Sequence, residues 1–282
     1  MGRRLLFAAL VASTATCLPG LAATKAKPVP SKPCPERPLS ADYDPSDPAS
    51  VSKHLRTAPR IVLALGLTRH EQLRALLARG ENPNVCVLGS SVLALSAASG
   101  DVEEVEILLD GGADPDRPKD SQGGTPLLLA LNLGRFDVAR LLIARGADVR
   151  AATSGKVTSL MELADALPPP ALHAQQLDLA ETLVKGGVAI DERRAGPGTT
   201  ALMMASIHGN KDLVQLLLRL GADPRLEDNK GQTALAFARK KGHTDVAELL
   251  SVASAPPAAT LQAAACTASQ AQPCPPEQRK SP

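Results

Sequence analysis

Few stretches of this chain place reactive side chains at spacings that support catalysis. The segment RHEQLR sets His70 beside Glu71. That is the start of a zinc-binding helix only if a second histidine stands four residues after the first, and Arg74 stands there instead. SGKVTS contains Gly155-Lys156, but lacks both the earlier glycine and the following Ser or Thr that a phosphate-cradling loop needs. DPDRPKD supplies Asp114, Asp116 and Asp120, yet two prolines interrupt it and no glutamate closes a calcium loop. It reads better as the tip of a connecting loop. The histidines (His54, His70, His173, His208 and His243) are scattered, Cys86 has no histidine at a spacing that favours a base, and no G-x-S-x-G occurs. No catalytic residue, metal ligand or cofactor site is predicted, and the chain is read as a non-enzyme.

Reactive groups need elements to position them, and composition says what those elements are made of. Hydrophobic residues make up 44 % of the 282, which is ample for a core, but aromatics are only 1 %. Leu and Ala must therefore fill the interior, which suits small helices packed closely. The formal net charge of +2 is too balanced for nucleic acid, and no clustered basic face interleaved with aromatics appears.

The amino terminus carries an address. MGRR is followed by the apolar run LLFAALVASTATCL, shorter than the roughly 20 residues of a bilayer span. PGLAA then ends in small residues, so 1–23 reads as a cleaved secretory signal. A membrane anchor, or lipid attachment at Cys17, remains an alternative. Cleavage leaves Cys34, Cys86, Cys266 and Cys274, an even set that permits disulfides in an exported chain. Sequence does not choose their pairing, although the closeness of Cys266 and Cys274 favours a local loop. Residues 24–46 form a Pro-rich linker, and 253–282, rich in Ala, Pro, Gln and Ser, a disordered tail.

Between them, residues 47–252 repeat. LLLRLGADP at 216–224 echoes LLDGGADP at 108–115 and LLIARGADV at 141–149. Alignment on a Thr or its equivalent gives copies starting near 59, 91, 125, 158, 200 and 233. Thr125, Gly134, Leu141, Leu142 and Gly146 recur at the same offsets as Thr200, Gly209, Leu216, Leu217 and Gly221. The Thr hydroxyl is placed to cap a helix, and Gly134 or Gly209 to end it. Small residues such as Ala130, Ala205 and Ala238 let the next copy approach. A second helix shows one apolar face through Val138, Leu141 and Leu142, and a polar crossing begins at Asp148 or Asp223. One such unit exposes its apolar faces, and stacking buries them. The copy at 158 carries ALPPPALHAQQ at 166–176, where three prolines lengthen the turn between its two helices.

The pattern T-P-L-x-x-A, a Gly nine after the Thr, a Leu-Leu pair and G-A-D resembles the ankyrin repeat. The resemblance implies an all-α solenoid of about six helix-turn-helix units with β-hairpin fingers and a concave side. It also implies where a partner protein docks. On the first helices, seven and eight positions after the Thr, stand Asn132, Leu133, Asp165, Ile207, His208, Lys240 and Lys241. The finger tips carry Arg117, Lys119, Asp120, Arg150, Lys156, Arg193, Arg194, Asp228 and Lys230. Leu133 and Ile207, aliphatics on a polar rim, are the expected contact centre.

The expected role is therefore protein binding by a monomer in the periplasm, without nucleic acid and without membrane contact beyond the signal. Resemblance to exported bacterial ankyrin proteins suggests support of a stress-defence enzyme. An immunity-type inhibitor of a periplasm-targeted toxin, or a secreted effector acting on a host protein, are the alternatives.

Overall fold

The computed structural model describes residues 60–65, 70–87, 90–118 and 123–255. The signal, linker and tail lie outside these residues, as do Lys119, Asp120 and every cysteine but Cys86.

Helices come in pairs. The short α1 (Arg60–Leu63) precedes α2 (His70–Ala78). Then follow α3 (Val92–Ser99) with α4 (Val102–Asp110), and α5 (Pro126–Asn132) with α6 (Phe136–Ala144). The remaining pairs are α7 (Ser159–Asp165) with α8 (His173–Lys185), α9 (Ala201–His208) with α10 (Lys211–Arg219), and α11 (Ala234–Lys241) with α12 (Thr244–Ala253). The first helices α3, α5, α7, α9 and α11 pack on one another in chain order, and so do the second helices α2, α4, α6, α8, α10 and α12. The described residues form an all-α solenoid of stacked helix pairs, the architecture that the resemblance implies.

The first helices start where the hydroxyls stand. Ser91, Thr125, Thr158, Thr200 and Thr233 lie in extended conformation, and each side chain accepts the backbone N–H three residues on, at 3.2 to 3.4 Å. This satisfies one of the four donors that a helix start leaves unpaired. Pro126 suits the first turn of α5 because its missing N–H would have had no partner there. Close packing rests on the small residues: Ala130, Ala205 and Ala238 are fully buried. The second helices bury one face only, with Val138, Ala139 and Leu142 buried on α6 and Leu213, Val214, Leu216 and Leu217 on α10.

The crossings between units are braced by a carboxylate or amide ladder. Asn84 Oδ1 accepts the N–H of Asp114 at 2.8 Å, Asp116 Oδ1 that of Asp148 at 2.8 Å, and Asp191 Oδ1 that of Asp223 at 3.1 Å. The aspartates of DPDRPKD are thus finger architecture, since Asp114 Oδ1 also accepts the Asp116 N–H. Regular strand pairing among the described residues is limited to β1 (Cys86–Val87) with β2 (Ser90–Ser91), antiparallel, and to a single bridge between Ala152 and Thr158. The fingers that follow close through single backbone bonds, Arg194 N–H to Thr199 O at 2.9 Å and Asp228 N–H to Gln232 O at 3.0 Å, with side chains adding to them.

The insertion behaves as its prolines dictate. α7 stops at Asp165, residues 166–169 form no helix or strand, with Ala166 and Pro169 extended, a single 3₁₀ turn covers Pro170–Leu172, and α8 begins at His173. Gln176, fully buried, closes the loop: its Nε2 donates to Leu163 O at 2.8 Å and to Ala166 O at 3.4 Å. Its Oε1 accepts from Asn210 Nδ2 of the following unit at 2.9 Å.

Candidate partner-binding face

Positions four, seven and eight after each cap share one face of a first helix, because they are three and four residues apart. From α3 to α11 the fourth position reads Leu95, Leu129, Glu162, Met204 and Phe237. The seventh and eighth read Ala98-Ser99, Asn132-Leu133, Asp165-Ala166, Ile207-His208 and Lys240-Lys241. The face therefore changes character along the stack. It is apolar at Leu95, Leu129 and Leu133, acidic at Glu162 and Asp165, and basic at Lys240 and Lys241.

Neighbouring helices join these positions in pairs. Asn132 Nδ2 donates to Glu162 Oε2 at 2.7 Å, and His208 Nε2 lies 2.9 Å from Asp165 Oδ1. The sequence-predicted residues Asn132, Asp165 and His208 are thus brought into one polar row across α5, α7 and α9. Glu162 is the member that spacing from the cap had not singled out. Its signal was present: it stands three residues before Asp165, on the same side of α7. Burial pushes the Glu162 carboxyl above its usual range and the charge of Asp165 adds to this, against the Asn132 amide and the Arg194 charge.

The two aliphatic positions differ. Leu133 is 46 % exposed at the end of α5. Ile207 is half-buried, and its carbonyl accepts from His243 Nε2 at 3.0 Å. Lys240 and Lys241 are exposed in the last turn of α11, where a positive charge opposes the negative end of the helix dipole.

The finger residues divide by what they already hold. Arg193 is a brace: it donates to Glu227 O at 2.7 Å, Asn229 Oδ1 at 3.2 Å and Gly198 O at 3.2 Å, tying two crossings together. Arg117 is half-buried, with a guanidinium nitrogen 3.6 Å from Cys86 Sγ. Arg150 pairs with Asp148 at 3.7 Å and Lys156 with Glu192 at 3.5 Å. Asp228 is buried and caps its own turn, accepting the N–H groups of Lys230 and Gln232 at 2.8 Å each. Arg194 and Lys230 are exposed.

Among the described residues, one cluster offers metal-type ligands: His70, Asp101 and Glu104 each place one ligand atom within 4.8 Å of the others. Each has another task. Asp101 caps α4 through the Glu104 N–H at 3.0 Å, Ser96 Oγ donates to the buried Glu104 carboxylate, and His70 bridges Asp101 and Glu103. Cys86 is disulfide-bonded.

The family model for ankyrin repeats, in three copies, matches residues 62–153 and 171–257, more than half of the chain. The chain belongs to the ankyrin repeat family. The unmatched 154–170 include the start of the insertion. It is 31 % identical over 161 residues to the Caenorhabditis elegans ankyrin repeat and KH domain-containing protein mask-1, covering 57 % of this chain and 6 % of that one. It is 34 % identical to the Danio rerio ankyrin repeat and SAM domain-containing protein 6 (54 % of this chain, 20 % of that one). It is 35 % identical to a putative ankyrin repeat-containing protein of Treponema pallidum (50 % of this chain, 44 % of that one). The chain thus spans less than half the length of these relatives. Ankyrin repeats are, in general, non-enzymatic modules that bind other proteins, and no described helix is long and apolar enough to cross a membrane.

Proposed function

We propose that this chain is a monomeric, non-enzymatic binding module working outside the cytoplasm, in the periplasm, and that its partner protein seats on the first-helix face. The observation that carries this reading is Leu133, exposed beside the Asn132–Glu162 and Asp165–His208 pairs. An exposed aliphatic next to a fixed polar row is how a binding centre is built. Lys240 and Lys241 extend the contact at the basic end. The signal-like amino terminus and the disulfide at Cys86 support the location, because such bonds persist mainly in oxidising compartments.

The test is capture from periplasmic extract with residues 24–282, beside a Leu133→Arg bait and a Lys240→Glu/Lys241→Glu bait. A protein held by the native bait and lost from both variants supports the face. Equal capture by all three refutes it. Support of a stress-defence enzyme is the role we favour, on the resemblance to exported bacterial ankyrin proteins. It requires that a deletion strain become sensitive to peroxide. Killing by sibling cells would point to an immunity inhibitor instead, and accumulation in the medium to an effector.

A further inference from the structure

We propose that Ala166–Pro169, with the ring of Pro170 that opens the following 3₁₀ turn, is a ready-made polyproline II ligand, and that it docks into an aromatic-lined groove on a second protein. Three consecutive residues, Leu167, Pro168 and Pro169, each precede a proline. A following proline ring drives a residue out of the helical region into extended backbone, and a proline fixes its own φ near −65°. The dihedrals agree: Ala166 has φ −65° and ψ 136°, and Pro169 has φ −62° and ψ 156°. Both lie close to the polyproline II values of about −75° and +145°.

Exposure shows which edges are on offer. With three residues per turn, a polyproline II segment has three edges. Pro168 is half-buried and turned to the protein. Leu167 is 72 % exposed, and Pro169 and Pro170 are exposed. Two edges, Leu167 with Pro170 and Pro169 alone, therefore face solvent. Grooves of SH3, WW and EVH1 type take this form of ligand between aromatic rings. Strand addition to a sheet edge is ruled out here, because three successive prolines donate no backbone N–H.

Both ends of the segment are already fixed. The Ala166 N–H donates to Glu162 O at 3.1 Å, and Ala166 O accepts from the buried Gln176. Leu172 N–H donates to Pro169 O at 2.9 Å, and Leu172 packs on the core. The ordering entropy that a free proline peptide loses on binding was lost here on folding. A second copy is a poor source of the groove. The chain has no Trp, one Tyr and three Phe, and of these Phe136 is buried.

The same lack of Trp makes the test clean, since all tryptophan fluorescence comes from the probe. The full chain is titrated into an isolated SH3, a WW and an EVH1 domain, each with its groove tryptophan as reporter. The expected result is a saturable change with at least one of them. It weakens at least tenfold with Pro168→Ala/Pro169→Ala and with Leu167→Asp, and is unmoved by Leu133→Arg. Leu167→Asp alters an exposed side chain, so it decides the matter if the double variant loses its helical circular dichroism. No saturable change with any of the three at millimolar chain, or equal binding by Leu167→Asp, overturns the proposal. Loss of binding with Leu133→Arg would place these domains on the first-helix face and overturn it as well.

Discussion

His70 Nε2 lies 2.9 Å from Asp101 Oδ2, so the first residue of α2 is joined to the cap of α4 in the next unit. His70 Nδ1 also lies 3.0 Å from Glu103 Oε2, and Arg74 adds a bond to Glu103 at 3.0 Å. The hydrogen bond to Asp101 raises the His70 pKa above its ordinary 6.5; burial opposes this, and the Asp101 and Glu103 charges reinforce it. At Asp101, burial acts upward but the Glu104 N–H and His70 outweigh it, and its pKa falls below 3.8.

The signs fix a pH window. A histidine with a raised folded pKa contributes fully below its unfolded value and loses that contribution as pH climbs through the folded one. Asp101 is the mirror case, contributing until pH falls through its lowered value. The stability gap between native chain and His70→Gln is therefore expected to be widest between the ordinary values of 3.8 for the aspartate and 6.5 for the histidine, and to shrink as pH rises above 6.5. A partly exposed pair is worth about 0.5 to 1 kcal/mol. Urea unfolding within this window and above it measures it, and a gap that grows from the first to the second would refute the assignment.

Glu162 works in the opposite sense. Burial raises its pKa, so the unfolded chain loses this proton more readily than the folded one. Stability then falls as pH rises from the ordinary value of 4.5 through the folded value. Glu162→Gln removes the charge and keeps an oxygen to accept from Asn132. It is expected to be more stable than the native chain at neutral pH and equal to it below the ordinary value. If the face serves a partner, the same variant weakens binding. Such a trade is usual where a site keeps a charge the fold would rather lose.

How far these pairings can be read from sequence depends on what sets them. The caps at Thr125, Thr158, Thr200 and Thr233 act within one turn, so residue type and spacing reveal them. Offsets from the cap also put Asn132, Asp165 and His208 on one face. That Asn132 reaches Glu162 and Asp165 reaches His208 depends on the offset between neighbouring helices, which no single unit encodes. His70 was legible only as half of a failed zinc motif, because its partners belong to the next repeat. Arg193 looked like a solvent-facing tip charge, yet it spans two crossings through backbone carbonyls, which carry no sequence signal. Hairpin pairing in every finger is what the family resemblance implied. The described strand ladders are short; single backbone bonds such as Asp228 N–H to Gln232 O, and the side chains of Asn84, Asp116 and Asp191, add to the bracing.

Gln176 is the polar residue on which the insertion closes. Removing its amide strands Leu163 O and Asn210 Nδ2 away from their partners. Leaving buried polar groups unpaired costs about 1 to 3 kcal/mol. Gln176→Ala is expected to lower unfolding stability by about 2 to 3 kcal/mol, while the exposed Leu167→Asp changes it by less than about 0.5 kcal/mol. Similar effects of the two in urea would mean that Gln176 does not hold the loop.

Two glycines with the same backbone test what packs against the turn between paired helices. Gly134 has φ +67° and Gly209 φ +71°, so alanine at either meets the left-handed penalty of about 1 to 2 kcal/mol. Around Gly134 a new Cβ meets nothing within 4 Å, but at Gly209 it runs into the His243 ring. That ring is held by its bond to Ile207 O at 3.0 Å, so it cannot yield without giving up the bond. Gly209→Ala is therefore expected to cost about 1 kcal/mol more than Gly134→Ala. With His243→Ala as background the obstruction is gone, and the cost of Gly209→Ala should drop to that of Gly134→Ala. A double-mutant cycle in urea isolates this coupling. A cycle that closes at zero would show that the ring moves aside freely and that the seam between α9 and α12 is not held by His243.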